Sequence, residues 1–178
     1  MSSINENQPE KNHEDVRGGA AVEKIRALVG GGQNCFFCTA VATGPTGGVR
    51  PMNVRKVDEA GDLWFLSASD SHQNREVAID PSVRLYFQGS KHSDFLYLDG
   101  RVTVSTDRAT IDELWEPTLK TWFTGGKDDP RITALRFTPA DGYYWDTKHG
   151  NAVAFVKMLV GAAVGKTLDD SIEGTVTV

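Results

Sequence analysis

Apolar and polar positions alternate through much of the central chain, and the period is that of strands. From Asp94 to Val104, Leu96, Leu98, Val102 and Val104 alternate with Phe95, Tyr97, Arg101 and Thr103, which places the two sets on opposite faces of one long strand. Gly100 falls inside that run and predicts a bulge or bend, as a barrel needs at its corners. Val83, Leu85 and Phe87 share one face of a strand over Ser82–Gln88. Upstream, Cys35–Thr43, Val49–Val57 and Asp62–Ser67 read as three strands of a meander. They are separated by Gly44-Pro45-Thr46-Gly47-Gly48 and by Asp58-Glu59-Ala60-Gly61, both turn-forming runs. Arg131–Phe137 and Gly142–Trp145 read as the last two strands.

Helical spacing is confined to a few segments. Ala21, Ile25, Leu28 and Val29 make one apolar face of a helix over Glu14–Val29, stopped by Gly30-Gly31-Gly32. A short helix is expected from His72 to just before Asp80-Pro81. Another follows a cap at Thr106 or Asp107, with Ile111, Leu114 and Trp115 on one side. Asn151–Val164 reads as a helix of small residues. Residues 1–13 are polar and predict a disordered tail, 14–166 one domain, and 167–178 a C-terminal tail. The pattern predicts a mainly β fold, a β-barrel with peripheral helices, with a two-layer α+β sandwich as the alternative.

Composition narrows the function. A net charge of −5 over 178 residues argues against a nucleic-acid binder, which wants a basic face. The opening MSSINENQPEKN has no apolar segment. The longest apolar stretch, Ala152–Val164, contains Lys157 and falls short of the roughly 20 residues a bilayer requires. A cytoplasmic protein with no membrane partner is expected. Cys35 and Cys38 have CxxC spacing, but on a strand they point to opposite faces, and there is no second thiol pair for a zinc site. They read as ordinary thiols, and no metal site is expected. Asp128-Asp129 before Pro130 reads as a turn, His92 and His149 as surface loop residues, and His13 as part of the tail.

The candidate chemistry begins where a strand meets a helix, in FLSASDSHQNREVAIDP, residues 65–81. Ser67, Ser69 and Ser71 precede the helix. Hydroxyls there cap the first turn, and a helix N-terminus with its unpaired N–H groups also favours an anion. Arg50 and Arg55 lie five apart on one strand, so they face opposite sides unless a bulge intervenes. Trp115, Trp122 and Trp145 are candidates either for packing or for stacking on a ligand ring.

Three stretches carry a family resemblance: Arg50-Pro51-Met52-Asn53-Val54-Arg55; Ser71-His72-Gln73 followed by Asp80-Pro81; and Leu114-Trp115-Glu116-Pro117 with Trp122-Phe123-Thr124-Gly125-Gly126, Asp128-Asp129-Pro130 and Tyr144-Trp145. Together they resemble the general-stress-protein branch of the pyridoxamine 5'-phosphate oxidase-like flavoproteins, over about residues 20–165. The resemblance implies the FMN-binding split β-barrel and a homodimer with flavin sites at its interface. It implies FMN, alternatively FAD, as cofactor. Arg50 to Arg55 would run along the flavin, Leu66-Ser67 would touch its ring or tail, and Ser71-His72-Gln73 would hold the phosphate, with Trp122 beside the site. Lys or Arg is frequent in the family where His72 and Gln73 stand, so two charge-assisted contacts are weakened here. The region Val104–Gly126 holds Arg108 but no Tyr-Arg-Ser set for a substrate phosphate, and vitamin B6 oxidation is not expected. The implied function is a flavin-dependent oxidoreductase with a stress-related role. The alternatives are a non-catalytic flavin carrier or sensor, and a degenerate barrel with another cofactor or none.

Overall fold

The computed structural model describes residues 12–30, 34–89, 94–148 and 170–178. A short strand β1 (Val16–Arg17) leads into helix α1 (Gly19–Val29). Strands β2 (Asn34–Thr39), β3 (Val49–Asn53), β4 (Lys56–Val57) and β5 (Leu63–Ala68) follow, then helix α2 (His72–Ile79). Strands β6 (Ser82–Gln88) and β7 (Phe95–Ser105) precede helix α3 (Arg108–Leu114). Two 3-10 turns, Pro117–Thr121 and Gly126–Asp128, lead to β8 (Ile132–Thr147), and β9 (Ser171–Thr177) closes the order.

The sheet runs β1-β9-β8-β7-β6-β2-β3, with β5 pairing one half of β8 and β4 pairing β5. The hydrogen-bonded path ends at β3. Its return to β5 runs through the chain itself, from Asn53 across Val54 and Arg55 into β4, where the Arg55 N–H donates to the Trp64 carbonyl at 2.8 Å. This is a barrel split along one seam.

The interior follows from the period-two pattern. Phe37, Leu63, Phe65, Leu85, Leu98, Leu135 and Phe137 are fully buried, and Ala21 and Ile25 of α1 join the same core. Phe37 and Phe65 meet edge to face with centroids 5.5 Å apart. A second cluster lies outside the barrel, where Ile111 and Leu114 of α3 and Phe123 cover Leu66, Ile132 and Ala134.

Gly100 sits where the β7–β8 register shifts. A Cβ there would lie 2.3 Å from the Thr138 carbonyl and 2.6 Å from the Phe137 ring, so only glycine lets the two backbones cross that closely. Gly100 faces Pro139, which has no N–H to give the ladder and is tolerated at such a bulge.

Several expected boundaries move. Arg131–Phe137 and Gly142–Trp145 are parts of one strand, because Pro139 to Gly142 stay paired with β7 and form a bend instead of a turn. Val49–Val57 breaks into β3 and β4. Helix α1 begins at Gly19, because Val16 and Arg17 pair with Val176 and Thr177 in parallel. The expected C-terminal tail contains β9, paired antiparallel to β8 over Asp141–Thr147. Its SIEGTVT run alternates and is β-branched, but its partners lie distant in sequence. Asn12 and His13, expected in the disordered tail, are described: Glu173 N–H donates to the Asn12 carbonyl at 2.9 Å, and His13 bridges to Glu173. The helix expected over Asn151–Val164, His92 and His149 lie outside the described residues.

Candidate cofactor site at the barrel end

The Ser-rich junction between β5 and α2 is knit by its own hydroxyls. Ser71 has extended backbone (φ −71°, ψ 157°), and its Oγ accepts the Asn74 N–H at 3.1 Å, the geometry of an N-cap. The Arg75 N–H reaches the Ser71 carbonyl at 3.3 Å. The N–H groups of His72 and Gln73 are left as the open donors of the first turn. Ser67 Oγ lies 3.2 Å from Ser71 Oγ and donates to Gln73 Oε1 at 3.0 Å. Gln73 is buried, and its Nε2 has no hydrogen-bond partner among the described residues. Thr133 Oγ1 donates to the Ser67 carbonyl at 3.0 Å, and Asn74 Nδ2 to that of Ala68 at 2.8 Å.

Arg50 arrives at the same end from β3. It stands opposite Phe37 in the β2–β3 register and so faces inward. Its guanidinium pairs through Nη2 with Oε2 of Glu76, whose side chain is fully buried on α2. Glu76 also accepts from Thr39 Oγ1 at 2.8 Å, Thr43 N–H at 2.7 Å and Thr43 Oγ1 at 3.2 Å. Burial pushes its carboxyl pKa up, but the Thr43 N–H, Arg50 and Thr39 outweigh that and hold it down at about 2. The other guanidinium nitrogen, Arg50 Nη1, is buried with no partner among the described residues. His72 is exposed, with Nδ1 3.0 Å from Thr43 Oγ1. A Cβ on Gly44 would lie 2.8 Å from the His72 ring, so the Thr43-Gly44 loop rests directly on the first turn of α2.

The remaining candidates lie elsewhere on the same strand. Val54 is fully buried and Met52 packs against the main core. Pro51 is exposed on the outer face, opposite Phe36. Arg55 donates through Nε to the Leu114 carbonyl at 3.2 Å and through Nη1 to Asn53 Oδ1 at 2.7 Å, and pairs with Glu116 at 2.5 Å. It therefore holds the C-terminus of α3 against the β3–β4 break. Asn53 also donates to Asn34 Oδ1 at 3.2 Å. Leu66 faces outward under α3, and Trp122 is 68% exposed. Trp115 packs 6.2 Å from Phe123 in that outer cluster. The structure thus gathers Arg50, Ser67, Ser71, His72 and Gln73 at the barrel end, and places Pro51, Asn53, Arg55, Leu66 and Trp122 on the outside.

Two features were missed in the sequence. One is Glu76, with Thr39 and Thr43. A charged residue in an otherwise polar helix reads as solvated; the available signal was its spacing three residues after Gln73, on one helix face. The other is an aromatic row on the outer sheet face. Pro51, Phe36, Tyr86, Tyr97 and Tyr143 stand opposite one another across β3, β2, β6, β7 and β8, with Trp145 4.8 Å from Tyr143. Phe36, Tyr86 and Trp145 are exposed there, beside a groove of about 450 Å³. Cys35 and Cys38 are free thiols, as expected, and burial pushes Cys35 up to about 12.

Residues 20–169 match the family described as pyridoxamine 5'-phosphate oxidase like. The chain belongs to that family. Among solved structures it is similar to a general stress protein 26 of Jannaschia sp. CCS1, at 26% identity and a TM-score of 0.73 over 88% of this chain and 97% of that one. A Clostridium acetobutylicum protein related to general stress protein 26, named to the pyridoxinephosphate oxidase family, matches at 25% identity and TM-score 0.56 over 69% and 86%. A general stress FMN/FAD binding protein of Xanthomonas citri shares the fold at 24% identity and TM-score 0.57 over 68% and 84%. The Neurospora crassa protein bli-3 is 25% identical over 115 residues, 60% of this chain and 49% of its own length; the match thus spans about half of that relative. The fold is the split β-barrel of this family, and the expected barrel, not the two-layer sandwich, is what the chain forms. Among the described residues no helix is long and apolar enough to cross a membrane.

Proposed function

We propose that this member of the pyridoxamine 5'-phosphate oxidase-like family binds a flavin, FMN before FAD, and serves as a flavin-dependent oxidoreductase with a stress-related role in the cytoplasm. The observation that carries the reading is the barrel end. There the open N–H groups of His72 and Gln73 and two buried donors without partners, Gln73 Nε2 and Arg50 Nη1, gather at the N-terminus of α2. Such donors suit an acceptor-rich anion, and a helix N-terminus favours negative charge. On this reading Ser71, His72 and Gln73 hold the flavin's phosphate end, and the β3 strand runs along its ring system. The flavin supplies hydride or electron transfer, and the protein supplies orientation and electrostatics. The name of the Xanthomonas citri relative supports FMN or FAD as the cofactor class.

The same reading makes the protein a homodimer with flavin sites at the interface. Its support is the outer aromatic row, because large exposed apolar patches mark interaction surfaces. That face also carries Arg84 and Asp99, joined by two 2.6 Å hydrogen bonds, so both signs are present for a self-complementary contact. It meets the flavin strand at Pro51.

Titration of cofactor-stripped protein with FMN, FAD and riboflavin, read by flavin fluorescence, tests the proposal. Saturable FMN binding is expected. No saturable binding of any flavin at tens of micromolar would overturn it and leave a structural role or another cofactor.

A further inference from the structure

A phosphate monoester carries nearly two negative charges near neutral pH, and the cation nearest the candidate phosphate position is Arg50. Its guanidinium is already committed. Glu76 reaches it from one turn further along α2, fully buried, and is anchored independently by Thr39 and Thr43. The carboxylate therefore stays in place whether or not a ligand is present. The other positions at the N-terminus offer hydrogen bonds but no fixed positive charge: Ser71 is occupied as a cap, Gln73 is neutral, and His72 stands exposed against Thr43. The arrangement is the inverse of one built to read a dianion, in which a guanidinium would present its fork outward.

We propose that Glu76 is a specificity-determining residue: by holding Arg50 inside the barrel end, it withdraws that cation from ligand recognition, so the site takes the flavin mainly through its ring and chain and reads the terminal phosphate weakly. This rests on the flavin reading above. It assigns the chain to flavins as a class, with FMN preferred over riboflavin only by what neutral donors and a helix N-terminus provide.

The experiment compares FMN and riboflavin affinities in the wild-type protein and in three variants, Arg50→Lys, Arg50→Gln and Glu76→Gln, each checked for native secondary structure by circular dichroism. A wild-type ratio below about tenfold is expected. Arg50→Lys keeps a counter-ion for Glu76 and guards against loss of folding in Arg50→Gln; in both, the ratio is expected to stay within about threefold of wild type. Glu76→Gln frees the guanidinium and is expected to raise the ratio about ten- to a hundredfold, the strength of a charge-assisted bond. The inference is overturned if Arg50→Lys or Arg50→Gln selectively weakens FMN while riboflavin binding is unchanged, since Arg50 would then hold the phosphate. It is also overturned if a folded Glu76→Gln variant leaves the ratio unchanged. Wild-type protein that binds neither flavin would overturn the flavin reading itself, and this inference with it, an outcome distinct from a selective loss of FMN.

Discussion

Arg50→Gln isolates the energetics of the barrel end. The substitution removes the only cation paired with Glu76 among the described residues and leaves a fully buried carboxylate behind. Breaking a buried pair from one side typically costs about 3–5 kcal/mol. Glu76 keeps its bonds from the Thr43 N–H, Thr43 Oγ1 and Thr39 Oγ1, so the lower end, about 3 kcal/mol, is expected. At roughly 2–4 °C per kcal/mol for a chain of this size, the melting temperature should fall by about 6–12 °C. Urea unfolding of wild type, Arg50→Gln, Glu76→Gln and the double variant measures the pair directly. The double variant should be less destabilised than the sum of the singles by about 0.5–3 kcal/mol.

The pH dependence supplies a second check. The folded Glu76 pKa, at about 2, lies below its ordinary value near 4.5. The group therefore contributes stability that is fully present above about 4.5 and lost as pH falls through about 2. The gap between wild type and Arg50→Gln should be widest above pH ~4.5 and narrow toward pH ~2. Additive single effects, or wild-type and variant curves running parallel through that window, would refute the argument.

Other elements give further tests. Gly100→Ala places a methyl 2.3 Å from the Thr138 carbonyl and should destabilise by at least about 1–3 kcal/mol, measured by urea midpoint. Leu114→Ala opens the outer cluster around Ile111, Phe123 and Leu66 and should cost about 2–5 kcal/mol, with earlier proteolysis of the 108–128 segment. Cys35, buried and with its thiol pushed up to about 12, should resist a thiol reagent until the protein unfolds, while the half-buried Cys38 reacts sooner; equal labelling in native protein would contradict this placement. Tyr86→Arg, on the exposed aromatic row, should shift a dimer toward monomer in sedimentation velocity, and an unchanged dimer would move the interface off that face.

Local rules made much of the fold legible. The α1 face of Ala21, Ile25, Leu28 and Val29 is buried as its spacing requires. Asp107 caps α3, accepting the Thr110 N–H at 2.8 Å, and Ser71 caps α2. Gly100 marks the bulge. The failures share a cause: each depends on partners distant along the chain. Strand β9 acquires its identity from β8 and β1, and the bend at Pro139 looks like a turn until Gly100 is seen opposite it. Val54 and Arg55 break a run that alternation alone would continue, because the chain there leaves β2 for β5.

The candidate site was legible to a lesser degree, for a reason that concerns charge more than shape. Sequence identifies donors: two arginines, three hydroxyls and a helix start are all visible between Arg50 and Gln73. Whether a donor is available depends on what acceptor the fold brings to it. Glu76 lies 26 positions from Arg50 along the chain, separated by a turn, two strands and most of a helix, and nothing in either local pattern announces the pair. Arg55 is similar, since its acceptors are the Leu114 carbonyl and Glu116, on α3 and the turn that follows it. A motif built from cations at fixed spacing therefore states which charges the chain places near a site. The buried carboxylates facing them decide how much of that charge a ligand can feel, and at this barrel end that decision falls to Glu76.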